Sequence, residues 1–173
     1  MGACAGGEPA TELPEDIVLT ALFEQPTVRD KTTPSGRFRV LCVDDNRDCA
    51  DSTAKLLQLV GFEARACYDG ESALSQLDSY RPDLCFLDLN MRGMDGDELA
   101  IRLRAASAGR PIALVAITAM GNEDSRRRTT AAGFDLHLVK PVDPFKLVQV
   151  VDTWFKVWND HYHAHSDTGG SDQ

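Results

Sequence analysis

A chain of 173 residues that is 43% hydrophobic has enough apolar material for one folded domain with tails. Its net charge of −9 and pI near 4.8 exclude a broad surface for nucleic acid, which needs a concentrated basic face. No apolar run reaches the roughly 20 residues of a membrane helix, and no basic stretch followed by an apolar one opens the chain, so a cytoplasmic protein that does not enter a membrane is expected.

Residues 1–36 are rich in Gly, Pro, Thr and charge and read as a flexible arm. Within it, Pro14 to Glu24 could form a short helix with Leu13, Ile17, Val18, Ala21 and Leu22 on one side. From there on, strand and helix signals alternate five times. The expected strands are Phe38–Asp44, Phe62–Tyr68, Leu84–Leu89, Ile112–Thr118 and Leu136–Val139. The third and fourth are nearly continuous in apolar residues, as strands covered on both faces are. Helices are expected from about Arg47, Glu71, Asp97 and Asp124, and a last one opens at Asp143, with Pro144 suited to its first turn. Leu147, Val151, Trp154 and Trp158 give that helix one apolar stripe. Residues 159–173 are polar and read as a disordered tail.

Such alternation implies an α/β fold, an open parallel sheet between two layers of helices, with the site beyond the carboxyl ends of the strands. The five cysteines (Cys4, Cys42, Cys49, Cys67 and Cys85) lack metal-ligand spacing, and several sit within apolar runs, so they read as reduced core thiols.

Polar residues collect at those carboxyl ends. Asp44 and Asp45 follow the first strand, Asp88 lies near the end of the third, Thr118 closes the fourth, and Lys140 follows the fifth. Two carboxylates 4 Å apart repel by roughly 4 kcal/mol at an effective dielectric of 20, so a cation must compensate. Lys140 is one candidate, and an oxygen-seeking divalent ion is the other. Magnesium, which binds through one or two carboxylates plus water and phosphate oxygens, points to phosphoryl handling.

The segments Val43-Asp44-Asp45-Asn46, Phe86-Leu87-Asp88-Leu89-Asn90-Met91, Met94-Asp95-Gly96, Ala116-Ile117-Thr118-Ala119 and Val139-Lys140-Pro141 resemble the receiver domain of two-component response regulators. The resemblance covers residues 38–158, so a domain over 37–158 is expected. It implies a flavodoxin-like, doubly wound, five-stranded parallel sheet. It further implies that Asp88 is the phospho-acceptor, fed by a histidine kinase or phosphotransfer protein. Asp45, Asp88 and the backbone carbonyl of Asn90 would hold Mg2+, with Asp44 contributing. Lys140 would pair with the phosphate, Thr118 would bond a phosphoryl oxygen, and the Lys140-Pro141 bond would be cis.

Two positions depart from the family pattern. Arg92 stands where a proline is usual, which predicts a more mobile loop and an added positive charge at the entrance. His137 stands where Tyr or Phe is usual, and is the candidate switch residue. With no helix-turn-helix or kinase ATP-binding region legible, signalling through a downstream protein partner is expected, with no direct DNA binding. The alternatives are a receiver-shaped module that works without phosphate, and a phosphohydrolase of the haloacid-dehalogenase class. The second lacks its general acid, since Asn90 follows Asp88 by two residues. The run Arg126-Arg127-Arg128 reads as a solvated helix face.

Overall fold

The computed structural model describes residues 38–107 and 109–163. The helix expected at Pro14 to Glu24 lies outside the described residues. The elements run β1 (Arg39–Val43), α1 (Arg47–Leu59), β2 (Glu63–Cys67), α2 (Gly70–Ser79), β3 (Leu84–Asp88), α3 (Gly96–Ala106), β4 (Ala113–Thr118), α4 (Glu123–Ala131), β5 (Leu136–Val139) and α5 (Pro144–His163). All four strand pairings are parallel, in the order β2-β1-β3-β4-β5. This is the doubly wound arrangement expected from the alternation, with its switch point between β1 and β3.

Strand residues alternate between two apolar layers because successive side chains leave a strand on opposite faces. Val40, Cys42, Leu84, Phe86 and Val115 join Ala54 and Leu57 of α1 and Leu147, Val148 and Val151 of α5. Leu41, Val43, Cys85, Leu87 and Leu114 join Ala73 of α2 and Leu99, Ala100 and Leu103 of α3. Burial of a residue such as Phe86 contributes about 1.5–3 kcal/mol. The strands β1, β3 and β4 are buried almost throughout, hence their continuous apolar sequences.

Three helices start one residue ahead of the sequence-based position, because the residue before them takes the capping place. Asp69 accepts from Ser72 N at 2.7 Å and Asn122 from Ser125 N at 2.9 Å, whereas Asp95 precedes α3 without a side-chain cap bond. Asp143 accepts from Phe145 N at 2.8 Å, as expected of the residue before Pro144. The last helix carries on to His163, beyond the domain end expected at Trp158. Extending a formed helix adds a hydrogen bond for each residue fixed, so polarity alone does not stop it. In its stripe Leu147 and Val151 are buried, Trp154 is half-buried against the same core, and Trp158 is half-buried against Phe38 and Phe155. Cys42, Cys67 and Cys85 are buried free thiols, but Cys49 faces solvent on α1. Burial pushes the Cys42 and Cys85 thiols far above their usual pKa, so they are inert.

At the amino ends of β4 and β5 the two strands are fastened together. Asp135 N donates to Leu114 O at 2.8 Å, and Asp135 Oδ2 accepts from Leu114 N at 2.7 Å. Arg104 of α3 reaches the same carboxylate at 2.6 Å, the Gly133 carbonyl at 2.9 Å and the Ile112 carbonyl. The arginine run is exposed, yet it is partly engaged: Arg128 ties α4 to Asp97 of α3, and Arg127 pairs with Glu123.

Candidate functional site

The carboxyl ends of β1, β3, β4 and β5 bring Asp44, Asp45, Asp88, Thr118 and Lys140 to one edge of the sheet. Asp88 is the last residue of β3 and is 6% exposed, and Asp44 just past β1 is 8% exposed. Asp45 is half-buried and Asn90 is exposed. One carboxylate oxygen from each of Asp44, Asp45 and Asp88 lies within 4.8 Å of the others. Three acids this close persist because cations face them.

Lys140 supplies the first cation. Its Nζ donates to Asp44 Oδ2 at 2.9 Å and lies 3.2 Å from Asp88 Oδ1. Burial alone would lower its pKa, but the two carboxylates outweigh burial and raise it, so the ammonium stays charged. The Lys140-Pro141 bond is cis, as the resemblance implied. Lys140 N–H donates to Thr118 O at 2.7 Å, which fastens the start of the loop after β5 to the end of β4.

Asp88 titrates above the ordinary aspartate range. Burial is the main cause and Asp44 adds to it, while Lys140 and the Asn90 backbone oppose it. The opening of α3 closes in behind this residue. A Cβ on Gly96 would stand 2.4 Å from the Asp88 carbonyl oxygen and 2.8 Å from Leu89 Cα, so only glycine fits. The Met94-Asp95-Gly96 motif thus acquires a physical reason. On the other side, Asn46 caps α1, accepting from Asp48 N at 3.1 Å, and its own N–H donates to Asp44 Oδ1 at 2.9 Å.

Arg92 supplies the second cation. Its backbone N–H and its Nε both donate to Asp45 Oδ2, at 3.3 and 3.2 Å. The sequence reading expected a looser loop at this position. Instead the loop is tethered to Asp45, through a backbone donor that proline lacks and a side chain long enough to reach the acid.

Thr118 is 2% exposed, and its Oγ1 accepts from Met120 N at 3.1 Å. His137 is half-buried on β5, opposite Ala116, with Nδ1 3.3 Å from Thr129 Oγ1 of α4. Its Nε2 is buried and makes no hydrogen bond of good geometry. Burial lowers the His137 pKa and Arg126 adds to this, while the Met120 backbone works the other way. Met120 therefore stands between Thr118 and His137. The sequence reading did not single it out, and nothing about an exposed methionine in a loop signals such a role.

An all-oxygen donor set of three acids suits a hard cation such as magnesium. The part of the chain that carries this site, residues 40–152, matches the family model described as the response regulator receiver domain. The chain belongs to the response-regulator receiver family. It is 34% identical over 115 residues to an uncharacterized 14.6 kDa protein of Leptolyngbya boryana, covering 66% of this chain and 88% of that one. It is 34% identical over 128 residues to the sensor histidine kinase GacS of Pseudomonas protegens, covering 72% of this chain and 14% of that one. It thus spans only a small part of that kinase. The chemotaxis response regulator CheY4 of Vibrio cholerae superposes with a TM-score of 0.64 at 27% identity, over 69% of this chain and 99% of that one. The receiver fold and its place in two-component signalling follow, with phosphoryl acceptance implied by the family. Family members bind Mg2+ at an acidic pocket, and Asp44, Asp45 and Asp88 form one here. Among the described residues, no helix is long and apolar enough to cross a membrane.

Proposed function

We propose that Asp88 takes a phosphoryl group from a phosphohistidine on a histidine kinase or phosphotransfer protein, and that the phosphorylated form signals to a downstream protein partner in the cytoplasm. The observation that carries this reading is the buried Asp88 carboxylate facing Lys140 at 3.2 Å within a cluster of three acids. A carboxylate oxygen of Asp88 attacks phosphorus, the phosphorus–nitrogen bond breaks, and the departing imidazole takes a proton. Asp45, Asp88 and the Asn90 backbone carbonyl would hold Mg2+, with Asp44 contributing. When bound, the ion offsets negative charge on the phosphoryl oxygens.

The protein's own groups align and neutralise. Lys140 is positioned by its contacts with Asp44 and Asp88 to meet a phosphoryl oxygen with a charge-assisted hydrogen bond. Thr118 Oγ1 now accepts from Met120 N–H, and its hydroxyl hydrogen is free to turn toward a phosphoryl oxygen. Drawing Thr118 inward would loosen the Met120 loop beside His137, which makes His137 the side chain placed to respond. The response would be read on the face formed by α4, β5 and α5.

The test is incubation of the full chain with acetyl phosphate and Mg2+, followed by intact mass measurement. A single phosphoryl adduct that needs Mg2+ and is absent in Asp88→Asn is expected. Equal labelling of Asp88→Asn would end the assignment.

A further inference from the structure

We propose that Arg92 is a built-in counter-cation that holds the Asp45 carboxylate until a divalent ion displaces it. It would thereby set the magnesium concentration at which the site becomes competent. This inference rests on the reading of Asp44, Asp45 and Asp88 as magnesium ligands.

The three acids divide between two cations. Lys140 contacts Asp44 and Asp88, whereas among the described residues Arg92 is the cation paired with Asp45. Lys140 and Arg92 together leave the cluster one negative charge in excess, and without Arg92 the excess would be two. The Arg92 contact is made at two points on one oxygen, Asp45 Oδ2, by the backbone N–H at 3.3 Å and by Nε at 3.2 Å. An incoming ion that took this oxygen would meet an occupied donor and a positive charge beside it.

The two partners differ in freedom. The Asp45 side chain is 25% exposed, but that of Arg92 is 91% exposed, so no packing holds the guanidinium in place. It can swing into solvent once a stronger cation arrives. Arginine keeps its charge at every physiological pH, so the competition depends on ion concentration and ionic strength and hardly on protonation of the arginine. The backbone N–H stays near Asp45 even when the side chain leaves, which keeps the loop close to the acid it has released.

Calorimetric titration of the full chain with MgCl2 tests this. Arg92→Gln removes the charge but keeps a polar side chain, and should bind Mg2+ about three- to tenfold more tightly, the range expected for an exposed charge near a divalent ion. The difference should shrink as KCl is raised. Arg92→Lys keeps the charge and should stay close to the wild-type affinity. Unchanged affinity in Arg92→Gln, with binding lost in Asp45→Ala, overturns the counter-cation. Wild-type affinity in Asp45→Ala overturns the ligand assignment itself. Thermal melts by circular dichroism establish that each variant is folded before its titration is read.

Discussion

The ammonium of Lys140 lies 3.2 Å from Asp88 Oδ1, and the same nitrogen donates to Asp44 at 2.9 Å. One cation therefore serves two buried acids. Lys140→Met should destabilise the metal-free protein by about 2–4 kcal/mol at neutral pH, somewhat below the range for breaking a fully buried pair because the lysine is partly exposed. Since the Lys140 pKa is raised, its contribution is complete below the ordinary lysine value and is lost only as strongly alkaline pH passes the folded value. Urea unfolding at pH 7 checks the loss. A variant as stable as wild type would mean that the pair contributes nothing.

Asp88 gives the opposite sign. Its folded pKa is raised, chiefly by burial, so its contribution to stability is present below the unfolded pKa and is lost as pH rises through the folded one. At pH 7 without Mg2+ the fold disfavours a charged side chain here, and Asp88→Asn should therefore raise stability. The gain should disappear near pH 3, where the wild-type acid is protonated. Paired thermal melts at the two pH values provide the comparison.

The closeness of Gly96 to the Asp88 carbonyl predicts a further effect. Gly96→Ala should cost about 1–3 kcal/mol, because the new methyl meets backbone rather than a yielding side chain. The usual gain from replacing a helical glycine by alanine would be reversed here. If Asp88 is the acceptor, slower labelling by acetyl phosphate should accompany the loss, since the strand that carries Asp88 must shift.

His137 predicts a pH dependence. Its pKa is lowered by burial, and the groups facing it are Thr129 and Arg126 of α4 and the Met120 backbone, none of them acidic. A charged ring would leave a second donor in a buried place where Nε2 already lacks a good partner. A depressed folded pKa means that the contribution of the neutral ring is present above the ordinary histidine value and is lost as pH falls through the folded one. The difference in NMR shifts between phosphorylated and unphosphorylated protein should therefore be smaller at pH 5.5 than at pH 7.5, and His137→Tyr should abolish the change. Identical profiles for the two proteins would remove His137 from the switch.

Fold and acid cluster were legible in the sequence for one reason. A doubly wound sheet sends every strand's carboxyl end to the same edge, so Asp44, Asp88, Thr118 and Lys140 must converge once the strands are recognised. Helix starts slipped by a residue where Asp69 and Asn122 took the capping place, a choice settled by local side-chain geometry. Arg92 was visible as an oddity, but its grip on Asp45 joins residues 47 apart in sequence, and no local pattern encodes it. The role of Met120 was hidden for a different reason: it is the backbone N–H that donates to Thr118 Oγ1, and any residue but proline offers that donor. Cys49 was misread because helix periodicity, and not the residue's usual burial, decides which way it faces.

The fastening of β4 to β5 by Asp135 and Arg104 lies at the end of the sheet opposite the acids. The pair is anchored at its root and carries its working groups, Thr118 and the residues beside Lys140, at its tip. It should bend as a cantilever does, with displacement growing along the strands and strain gathered near the clamp. Hydrogen exchange should accordingly slow most at the Leu114 and Asp135 amides and quicken toward Met120 and Lys140. Cutting the anchor with Arg104→Ala should speed exchange at the root and blunt the contrast between the two ends. An arginine at the end of the sheet opposite the chemistry would then govern how far the chemistry can move anything.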